Sequence, residues 1–183
     1  MGHVYVALDL RLHALWAVKV LELKRLCRLY GDTGHIYREA ALMKRWVHPA
    51  LPRLMDLVED SDHLYIIMDY IEGESLDVYI KEERNLCFDD LIVILTGLCD
   101  VLAFLHGQQP PVIYRDLKPS NIMLQKDGKI MLIDFGSAYL FREEKPEQLR
   151  LGTPGYASPE LMEGGSVGPE SAQYSIGRIF REL

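Results

Sequence analysis

The sequence predicts an α+β fold in two parts, a β-rich part at residues 1–71 and a helix-rich part at residues 72–183. Three observations carry this prediction. Four segments rich in Val, Ile, Leu and Tyr precede position 72 and are separated by turn residues, as strands are. After position 88, an apolar stripe repeats every 3.6 residues, as in a helix packed on a core. Between these regions, the polar segment Glu72-Gly73-Glu74-Ser75 marks the change of character.

In the first part, we expect strands at residues 3–8, 14–21, 54–58 and 64–71. The linker at 9–13 suits a hairpin connection, and Asp60-Ser61-Asp62 suits a turn. One helix is expected between the two strand pairs, because apolar residues recur at helical spacing and a His-Pro pair ends the pattern. Its apolar positions are Ile36, Ala40, Met43 and Val47.

In the second part, Ser75 is expected to cap a short helix that runs to about Lys81. Asp89 is expected to cap a long helix that ends near Gly107. The apolar stripe of the long helix comprises Leu91, Ile94, Leu95, Leu98, Val101, Leu102 and Leu105. Apolar segments on both sides of Asp127-Gly128 predict a hairpin. Residues 137–168 are expected to be mostly loop, and a last helix is expected from about Pro169.

Composition narrows the classes of function. The chain has 20 Lys and Arg against 27 Asp and Glu, a net charge of −7, so nucleic acid is not expected as its main partner. We expect no membrane segment within the chain and no secretion signal, because no apolar run approaches the roughly 20 residues that span a bilayer. Three cysteines, an odd number, suit core thiols in the reducing cytoplasm better than disulfides.

Lys19 stands inside the apolar strand segment Ala17-Val18-Lys19. A buried ammonium without a partner costs free energy, so this side chain is expected to reach a partner or a cleft. Glu39, on the predicted helix, could supply the partner. A surface lysine at a strand edge is the alternative, and Lys19 alone does not decide between the two.

Residues 114–121 place two cations, a carboxylate and an amide in one short stretch, Tyr-Arg-Asp-Leu-Lys-Pro-Ser-Asn. An Asp can accept a hydroxyl proton, a Lys can neutralise a transferring phosphoryl group, and an Asn oxygen can bind a metal ion. A polar surface loop without function seldom carries this order of residues. The segment is therefore a candidate site for phosphoryl-transfer chemistry, with a polar surface loop as the alternative.

Two further motifs follow along the chain. Asp134-Phe135-Gly136 comes directly after an apolar strand predicted at residues 130–133, where a carboxylate is well placed to hold Mg²⁺. Gly152-Thr153-Pro154-Gly155-Tyr156 is followed closely by Ser158-Pro159-Glu160. Taken alone, each of these is a weak signal.

Together and in this order, the four segments resemble the eukaryotic-type serine/threonine protein kinase family. The resemblance covers essentially the whole chain. It implies a two-lobed kinase fold, with a small β-rich N-lobe containing one helix and a helical C-lobe. The stretch around Lys118 resembles the serine/threonine type, and Thr153 stands where that type keeps a threonine beside the catalytic Asp. The short loops resemble those of bacterial members.

The resemblance also implies roles for individual residues. Lys19 would hold the α- and β-phosphates of ATP while paired with Glu39. Asp116 would accept the proton of a protein Ser or Thr hydroxyl, and Lys118 would neutralise the γ-phosphate. Mg²⁺ would be held by Asn121 and Asp134. The nucleotide would contact Gly2, Val4, Ala17, Lys19, Met68, Asp69, Ile71 and Met123.

Three departures from the family pattern leave an alternative open. The Gly-rich loop retains only Gly2-His3-Val4, Ala172 stands where the family carries an Asp, and the chain stops at Leu183 within the last predicted helix. These departures suggest a kinase domain truncated at both ends. An inactive kinase-derived scaffold or nucleotide-binding module is the alternative to an active kinase. A small-molecule phosphotransferase is the weaker third reading, since such enzymes generally lack a peptide-docking segment like residues 152–160.

Overall fold

The structure is a computed structural model that describes residues 3–30, 37, 40–41, 43–134, 138–140, 152–165 and 168–183. The chain divides into two compact units, Met1–Ile71 and Glu72–Leu183. The first unit is built on a β-sheet, and the second combines helices with two small sheets. This arrangement confirms the predicted α+β class.

The first unit contains a four-stranded antiparallel sheet with the strand order β1-β2-β4-β3. Its strands are β1 (His3–Asp9), β2 (Ala14–Glu22), β3 (Leu54–Glu59) and β4 (His63–Asp69). The four predicted strands are therefore confirmed, although β4 ends two residues earlier than expected. The β1–β2 hairpin is closed by Asp9, whose Oδ1 accepts the backbone N–H groups of Arg11 and Leu12 at 2.8 and 3.0 Å.

The register of this sheet places four of the predicted nucleotide contacts, Val4, Ala17, Lys19 and Met68, on one face. Ala17 pairs with Met68 on one side and with Val6 on the other. Lys19 lies two residues further along β2, between Val4 and Ile66. Residues two apart on a strand point to the same face, so Ala17 and Lys19 share a face with their cross-strand partners.

The helices of the first unit differ in part from the prediction. Helix α1 (Leu23–Tyr30) follows β2 without an intervening turn and was not expected. Residues 37, 40, 41 and 43 are helical, and Ala40 is buried, as the predicted helix requires. Val47 was expected on the apolar stripe of that helix, but it lies beyond the helical residues and is 79% exposed. The helix ends earlier than the apolar spacing indicated.

The second unit is centred on its long helix. Ser75 occupies the N-cap position of helix α2 (Leu76–Lys81), as predicted, but its hydroxyl donates to Asp77 Oδ1 and makes no capping bond to a backbone N–H. Helix α3 (Phe88–His106) is followed by Gly107. Two more helices are α4 (Pro159–Glu163) and α5 (Glu170–Phe180). The buried side chains of α3 are Ile94, Leu98, Val101, Leu102 and Leu105, all members of the predicted stripe.

The cap of α3 corrects the prediction that Asp89 begins this helix. Cys87 is the capping residue, and the Asp90 carboxylate accepts the backbone N–H of Cys87 at 2.9 Å. A carboxylate three residues inside the helix thus satisfies a free backbone donor at its start. Asp89 lies in the first turn, where negative charge is favourable but does not cap.

Two small antiparallel sheets complete the second unit. One has the order β5-β7-β8, with β5 (Gly73–Ser75), β7 (Ile122–Gln125) and β8 (Ile130–Leu132), and contains the predicted hairpin. The other pairs β6 (Val112–Tyr114) with β9 (Ala138–Leu140). Strand β9 and helix α4 lie where mostly loop was expected.

Two further findings concern the cysteines and the membrane. Cys27, Cys87 and Cys99 are unpaired and exposed, so the expectation of core thiols was wrong. In the part of the chain that the structure describes, no helix has the length and apolar character needed to cross a membrane.

Candidate active site

In the segment that carries Asp116, buried residues alternate with half-buried ones along the chain. The segment leaves β6, whose Tyr114 is 2% exposed, and leads to a short 3₁₀ helix, Pro119–Asn121. Leu117 and Pro119 are buried, and Lys118 between them has an extended backbone. Successive side chains of an extended chain point in opposite directions. The apolar anchors therefore turn the side chains of Asp116 and Lys118 the other way.

The carboxylate of Asp116 is the centre of a hydrogen-bonded cluster. Lys118 Nζ donates to Asp116 Oδ2 at 2.7 Å, and the Thr153 hydroxyl donates to Asp116 Oδ1 at 2.6 Å. Lys118 Nζ also donates to Thr153 Oγ1 at 2.8 Å. Both charged side chains are only 16% exposed, so their attraction is less screened by water than that of a surface pair.

Asn121 joins the same cluster through the 3₁₀ turn. Its backbone N–H donates to the Lys118 carbonyl at 3.0 Å, which closes the turn. Its side-chain Nδ2 donates to the Asp116 carbonyl at 2.8 Å and lies 3.4 Å from Asp116 Oδ2. Asn121 is 6% exposed, so these bonds fix the orientation of a buried amide.

Asp134 is tied to this cluster by backbone contacts. The buried Tyr114 hydroxyl donates to the carbonyls of Ile133 and Asp134, the latter at 2.9 Å. The Ile133 N–H donates to the Asn121 carbonyl at 2.8 Å. Burial, reinforced by the charges of Asp134 and Asp116, raises the pKa of Tyr114 well above its ordinary value. The phenol therefore keeps its proton and remains a donor.

Asp134 has a left-handed backbone, with φ of +64°, which is uncommon for a residue other than glycine. Its side chain is exposed. Strained backbone of this kind persists where the surrounding structure imposes it. Asp134 comes two residues after the buried strand β8, and the Tyr114 hydroxyl holds its carbonyl. The side chain of Asp134 is thereby turned out of the core.

The donor set of Asn121 and Asp134 suits magnesium. Mg²⁺ prefers hard oxygen ligands and usually takes one or two carboxylates, with waters and substrate phosphates completing its shell. An amide oxygen and a carboxylate on adjoining, hydrogen-bonded segments match that preference. Among the described residues, no cluster of three or more His, Cys, Asp and Glu side chains offers a competing metal site.

A tight turn carries Thr153 to Asp116. The backbone N–H groups of Tyr156 and Ala157 donate to the Thr153 carbonyl at 3.1 and 3.0 Å. Gly152, just before the turn, has φ of +136°. A Cβ on Gly152 would lie 2.9 Å from the Ala157 Cβ and 3.0 Å from Leu161 Cδ2, so glycine is required here.

Helix α5 holds the far side of this turn. Arg178 Nε donates to the Gly155 carbonyl at 2.7 Å, and the Tyr156 hydroxyl donates to Glu182 Oε2 at 2.5 Å. Burial, followed by the bond to Glu182, raises the pKa of Tyr156 to about 12. The last turn of α5 and the residues after it thus fix the segment that presents Thr153.

The family resemblance implied that Thr153 lies beside Asp116, and the 2.6 Å hydrogen bond between them agrees with that expectation. Arg178 and Glu182 were not singled out by sequence reasoning. The side chains of Arg178 and Glu182 gave no signal, because their partners are a backbone carbonyl and a tyrosine more than twenty residues away.

The remaining predicted residues are distributed over both units. In the first unit, Lys19 is 9% exposed within β2, Val4 is 60% exposed, and Ala17, Met68, Asp69 and Ile71 are half-buried. In the second unit, Met123 is half-buried in β7, opposite Ser75 and Met131. Gly2, Glu39, Phe135 and Gly136 lie outside the described residues.

Comparisons with known proteins show the family of the chain. A family model described as "Protein kinase domain" matches residues 1–183. The chain is 31% identical over 88% of its length to a cAMP-dependent protein kinase catalytic subunit-like protein of Caenorhabditis elegans, of which the match covers 39%. It is 34% identical over 97% of its length to a serine/threonine-protein kinase of Myxococcus xanthus, of which 22% is covered.

A third relative, the serine/threonine-protein kinase PrkC of Bacillus subtilis, is 31% identical over 100% of the chain, with 28% of that relative covered. The chain thus spans less than half the length of these curated relatives. The family match nevertheless extends over the whole chain and includes every residue of the Asp116 cluster. The chain therefore belongs to the protein kinase family.

Proposed function

We propose that the protein transfers the γ-phosphate of ATP to serine or threonine hydroxyls of protein substrates. The observation that carries this proposal is the Asp116 carboxylate, which is bonded to Lys118 and Thr153 and flanked by the Asn121 amide. This arrangement sets a proton acceptor beside a cation and a metal-binding amide, as phosphoryl transfer requires. The family membership supports the same reading.

In the proposed reaction, the substrate hydroxyl approaches Asp116 and gives its proton to the carboxylate as its oxygen attacks the γ-phosphorus. The new oxygen–phosphorus bond forms while the bond to the β-phosphate oxygen breaks, and the electron pair leaves with ADP. Lys118 neutralises charge on the phosphoryl oxygens during the transfer. Thr153 and Lys118 keep the carboxylate from rotating away from the hydroxyl, because each holds one of its oxygens.

Asn121 and Asp134 would hold Mg²⁺ in this proposal. When bound, the ion would neutralise negative charge on the phosphate groups. Tyr114 supports both ligands. Its hydroxyl holds the backbone carbonyl of Asp134, and the neighbouring Ile133 N–H donates to the backbone carbonyl of Asn121. Tyr114 thus acts as a positioning residue in the second unit.

The first unit supplies the proposed nucleotide contacts. Lys19 is buried on the sheet face that also carries Ala17 and Met68. A buried cation beside an apolar face suits a ligand with a phosphate tail and a flat ring. We propose that Lys19 holds the α- and β-phosphates with Glu39 as its partner. The units Met1–Ile71 and Glu72–Leu183 are proposed to be the two lobes of the kinase fold.

The compartment and partners follow from the same reading. We propose that the reaction takes place in the cytoplasm, where the exposed thiols of Cys27, Cys87 and Cys99 remain reduced. The partners are ATP and proteins that present a Ser or Thr hydroxyl. The net charge of −7 disfavours nucleic acid as a partner.

A second candidate is a kinase-derived binding module that does not transfer phosphate. Ala172 favours it, because the family carries an Asp at this position and Ala172 is 3% exposed, where a carboxylate would otherwise be buried. Such a module would keep the nucleotide-binding residues and bind ATP without turnover. Both candidates therefore bind ATP, but only the kinase transfers its γ-phosphate to protein.

The deciding experiment incubates the full-length protein with Mg²⁺ and ATP labelled at the γ-phosphate, together with mixed protein substrates such as casein and myelin basic protein. Acid hydrolysis then identifies the labelled amino acid. The proposal predicts phosphoserine or phosphothreonine and no phosphotyrosine. Nucleotide binding without any label in protein would support the binding module instead.

A further inference from the structure

The tip of the β1–β2 hairpin presents leucine side chains to solvent. Leu10 and Leu12 lie in the connection between the two strands and are 78% and 71% exposed. Leu8 and Leu15 are cross-strand partners next to the tip, and both are exposed. Single exposed leucines are common on protein surfaces, but four at one end of a hairpin form an apolar patch. Such a patch indicates contact with a partner.

Hydrogen bonds hold this tip in one shape. Asp9 Oδ1 accepts the backbone N–H of Arg11 at 2.8 Å and that of Leu12 at 3.0 Å. The bonds from Leu12 and Arg11 lower the pKa of Asp9, so its carboxylate is ionised at neutral pH and keeps both donors. Because the turn is already ordered, its docking to a partner costs little conformational entropy.

The tip also places a cation between its two most exposed leucines. This cation is Arg11, and His13 follows at the end of the turn; both side chains are exposed. The net charge of −7 does not repel an anionic partner from this unit, because residues 1–71 hold nine Lys and Arg and nine Asp and Glu. The acidic excess lies in residues 72–183. The charge of the tip therefore suits an anionic partner.

The shape of the tip favours a lipid surface over a protein surface. A stable protein–protein interface buries about 800 Å² on each partner, which is more than the narrow turn at residues 10–13 offers. A bilayer adapts to a narrow apolar projection, and leucines suit the boundary between its headgroups and acyl chains. An arginine between the leucines lies at the level of the lipid phosphates, whose oxygens its guanidinium binds well.

We propose that the hairpin tip inserts into the surface of a bilayer that contains anionic phospholipid. Leu10 and Leu12 enter the boundary of the acyl chains, and Arg11 binds headgroup phosphate between them. The contact is peripheral, so it requires no helix that crosses the membrane. It is reversible, since a few apolar side chains give only marginal membrane affinity. The inference goes beyond the proposed function and does not depend on ATP.

The test is co-sedimentation of the full-length protein with vesicles in the absence of nucleotide. One set of vesicles contains phosphatidylcholine alone, and the other contains phosphatidylcholine with phosphatidylglycerol. Leu10→Ser and Leu12→Ser should each lower binding to the mixed vesicles about 10-fold, because each removes one buried apolar side chain. Arg11→Gln should lower this binding about 5-fold, the worth of one cation near an anionic surface, and should leave binding to phosphatidylcholine unchanged.

A matched control separates the hairpin from exposed apolar side chains in general. Val47 belongs to the same unit, lies outside the hairpin and is 79% exposed. Val47→Ser removes as exposed an apolar side chain as Leu10→Ser does and should leave vesicle binding unchanged. Thermal melting of each variant checks that the protein remains folded, which the exposure of all four positions favours.

The outcomes decide for or against the bilayer. Absence of the unaltered protein from both vesicle pellets would overturn the proposal and favour a protein as the partner of the tip. Undiminished binding of a protein that carries both Leu10→Ser and Leu12→Ser would also overturn it, as would an equal loss in Val47→Ser. The experiment contains no ATP, so a failure of the proposed kinase function leaves these readings unchanged.

Discussion

The Thr153 hydroxyl donates to Asp116 Oδ1 at 2.6 Å across 37 positions of sequence. The same hydroxyl oxygen accepts a bond from Lys118, so three side chains close a ring of hydrogen bonds around one carboxylate. A carboxylate held at both oxygens has one orientation. The proposed proton acceptor is therefore positioned before any substrate arrives, which lowers the entropy lost on reaching the transition state.

Removing the hydroxyl should lower turnover more than affinity. We expect Thr153→Val to reduce kcat by about 10-fold, because Asp116 loses one anchor and Lys118 loses one acceptor; a tenfold loss corresponds to about 1.4 kcal/mol in the activation barrier. Thr153→Ser keeps the hydroxyl and should retain most of the activity. Steady-state kinetics of the two variants make the comparison. Equal activity of the Val and Ser variants would show that the hydroxyl has no positioning role.

Gly152 should tolerate no side chain. We expect Gly152→Ala to cost roughly 1–3 kcal/mol in the free energy of unfolding, because its backbone φ is +136° and the new Cβ would press on Ala157. The matched control is Gly164→Ala, where φ is +76° but no atom lies within 4 Å of the added Cβ. Urea unfolding and phosphate transfer are measured for both. The prediction is wrong if the two variants lose stability equally.

The sequence predicted the parts of the fold whose signals are periodic. The strands of the four-stranded sheet and the stripe from Ile94 to Leu105 on α3 were recognised, because burial on one side imposes a repeat on the sequence. Short elements have no such repeat. Strand β9 is three residues long, and its pairing with Val112–Tyr114 depends on residues distant in sequence. Helix α1 follows β2 without a Gly, Pro or Asn to mark the boundary.

The sequence predicted which residue types form the site, but not the hydrogen bonds that join residues distant in sequence. Asp116, Lys118 and Asn121 lie within six residues, so the sequence itself brings them together, and the structure adds their bonds. The bond from Tyr114 to the Asp134 carbonyl joins segments twenty residues apart. The ion pair between Arg53, just before β3, and Asp69, at the end of β4, likewise joins residues 16 positions apart. No local pattern encodes such contacts, because the partners are distant in sequence.

Acid should destabilise the second unit through His106. Burial lowers the pKa of His106, while the charge of Glu170 partly opposes this, and within the described residues its Nε2 is buried without a hydrogen-bond partner. The folded state therefore binds fewer protons than the unfolded state once the pH falls to about 6.5 and below. The free energy of unfolding should decrease as the pH drops through this range.

His106→Gln removes the titrating group and should flatten this decrease. Urea unfolding at pH 7.5 and 5.5 gives the change for the two proteins. We expect a smaller difference between the two pH values in the variant than in the unaltered protein. An identical pH dependence would assign the acid sensitivity to other groups.

Activity should not depend on phosphorylation in the middle of residues 140–151. This stretch contains no Ser, Thr or Tyr, whereas Glu143, Glu144 and Glu147 provide permanent negative charge. In the proposed kinase, these carboxylates would take the place of a loop phosphate near Arg115, as weaker anions. Treatment with a phosphatase should leave the rate of transfer unchanged. A large loss of activity traced to a phosphate on a residue between 137 and 168 would contradict this account.

The most direct test of the central claim is single-turnover transfer from labelled Mg-ATP to a protein substrate by the full-length protein and its Asp116→Asn variant. Asparagine keeps the shape but cannot accept the proton, so the rate should fall by about 10²- to 10⁴-fold while ATP still binds. Asp127→Asn is the matched control, since Asp127 is an exposed hairpin carboxylate paired with Lys129. We predict rapid transfer by the unaltered and control proteins. Undiminished transfer by Asp116→Asn, or no transfer by an unaltered protein that binds ATP, would contradict the assignment of Asp116 as the proton acceptor of a protein kinase.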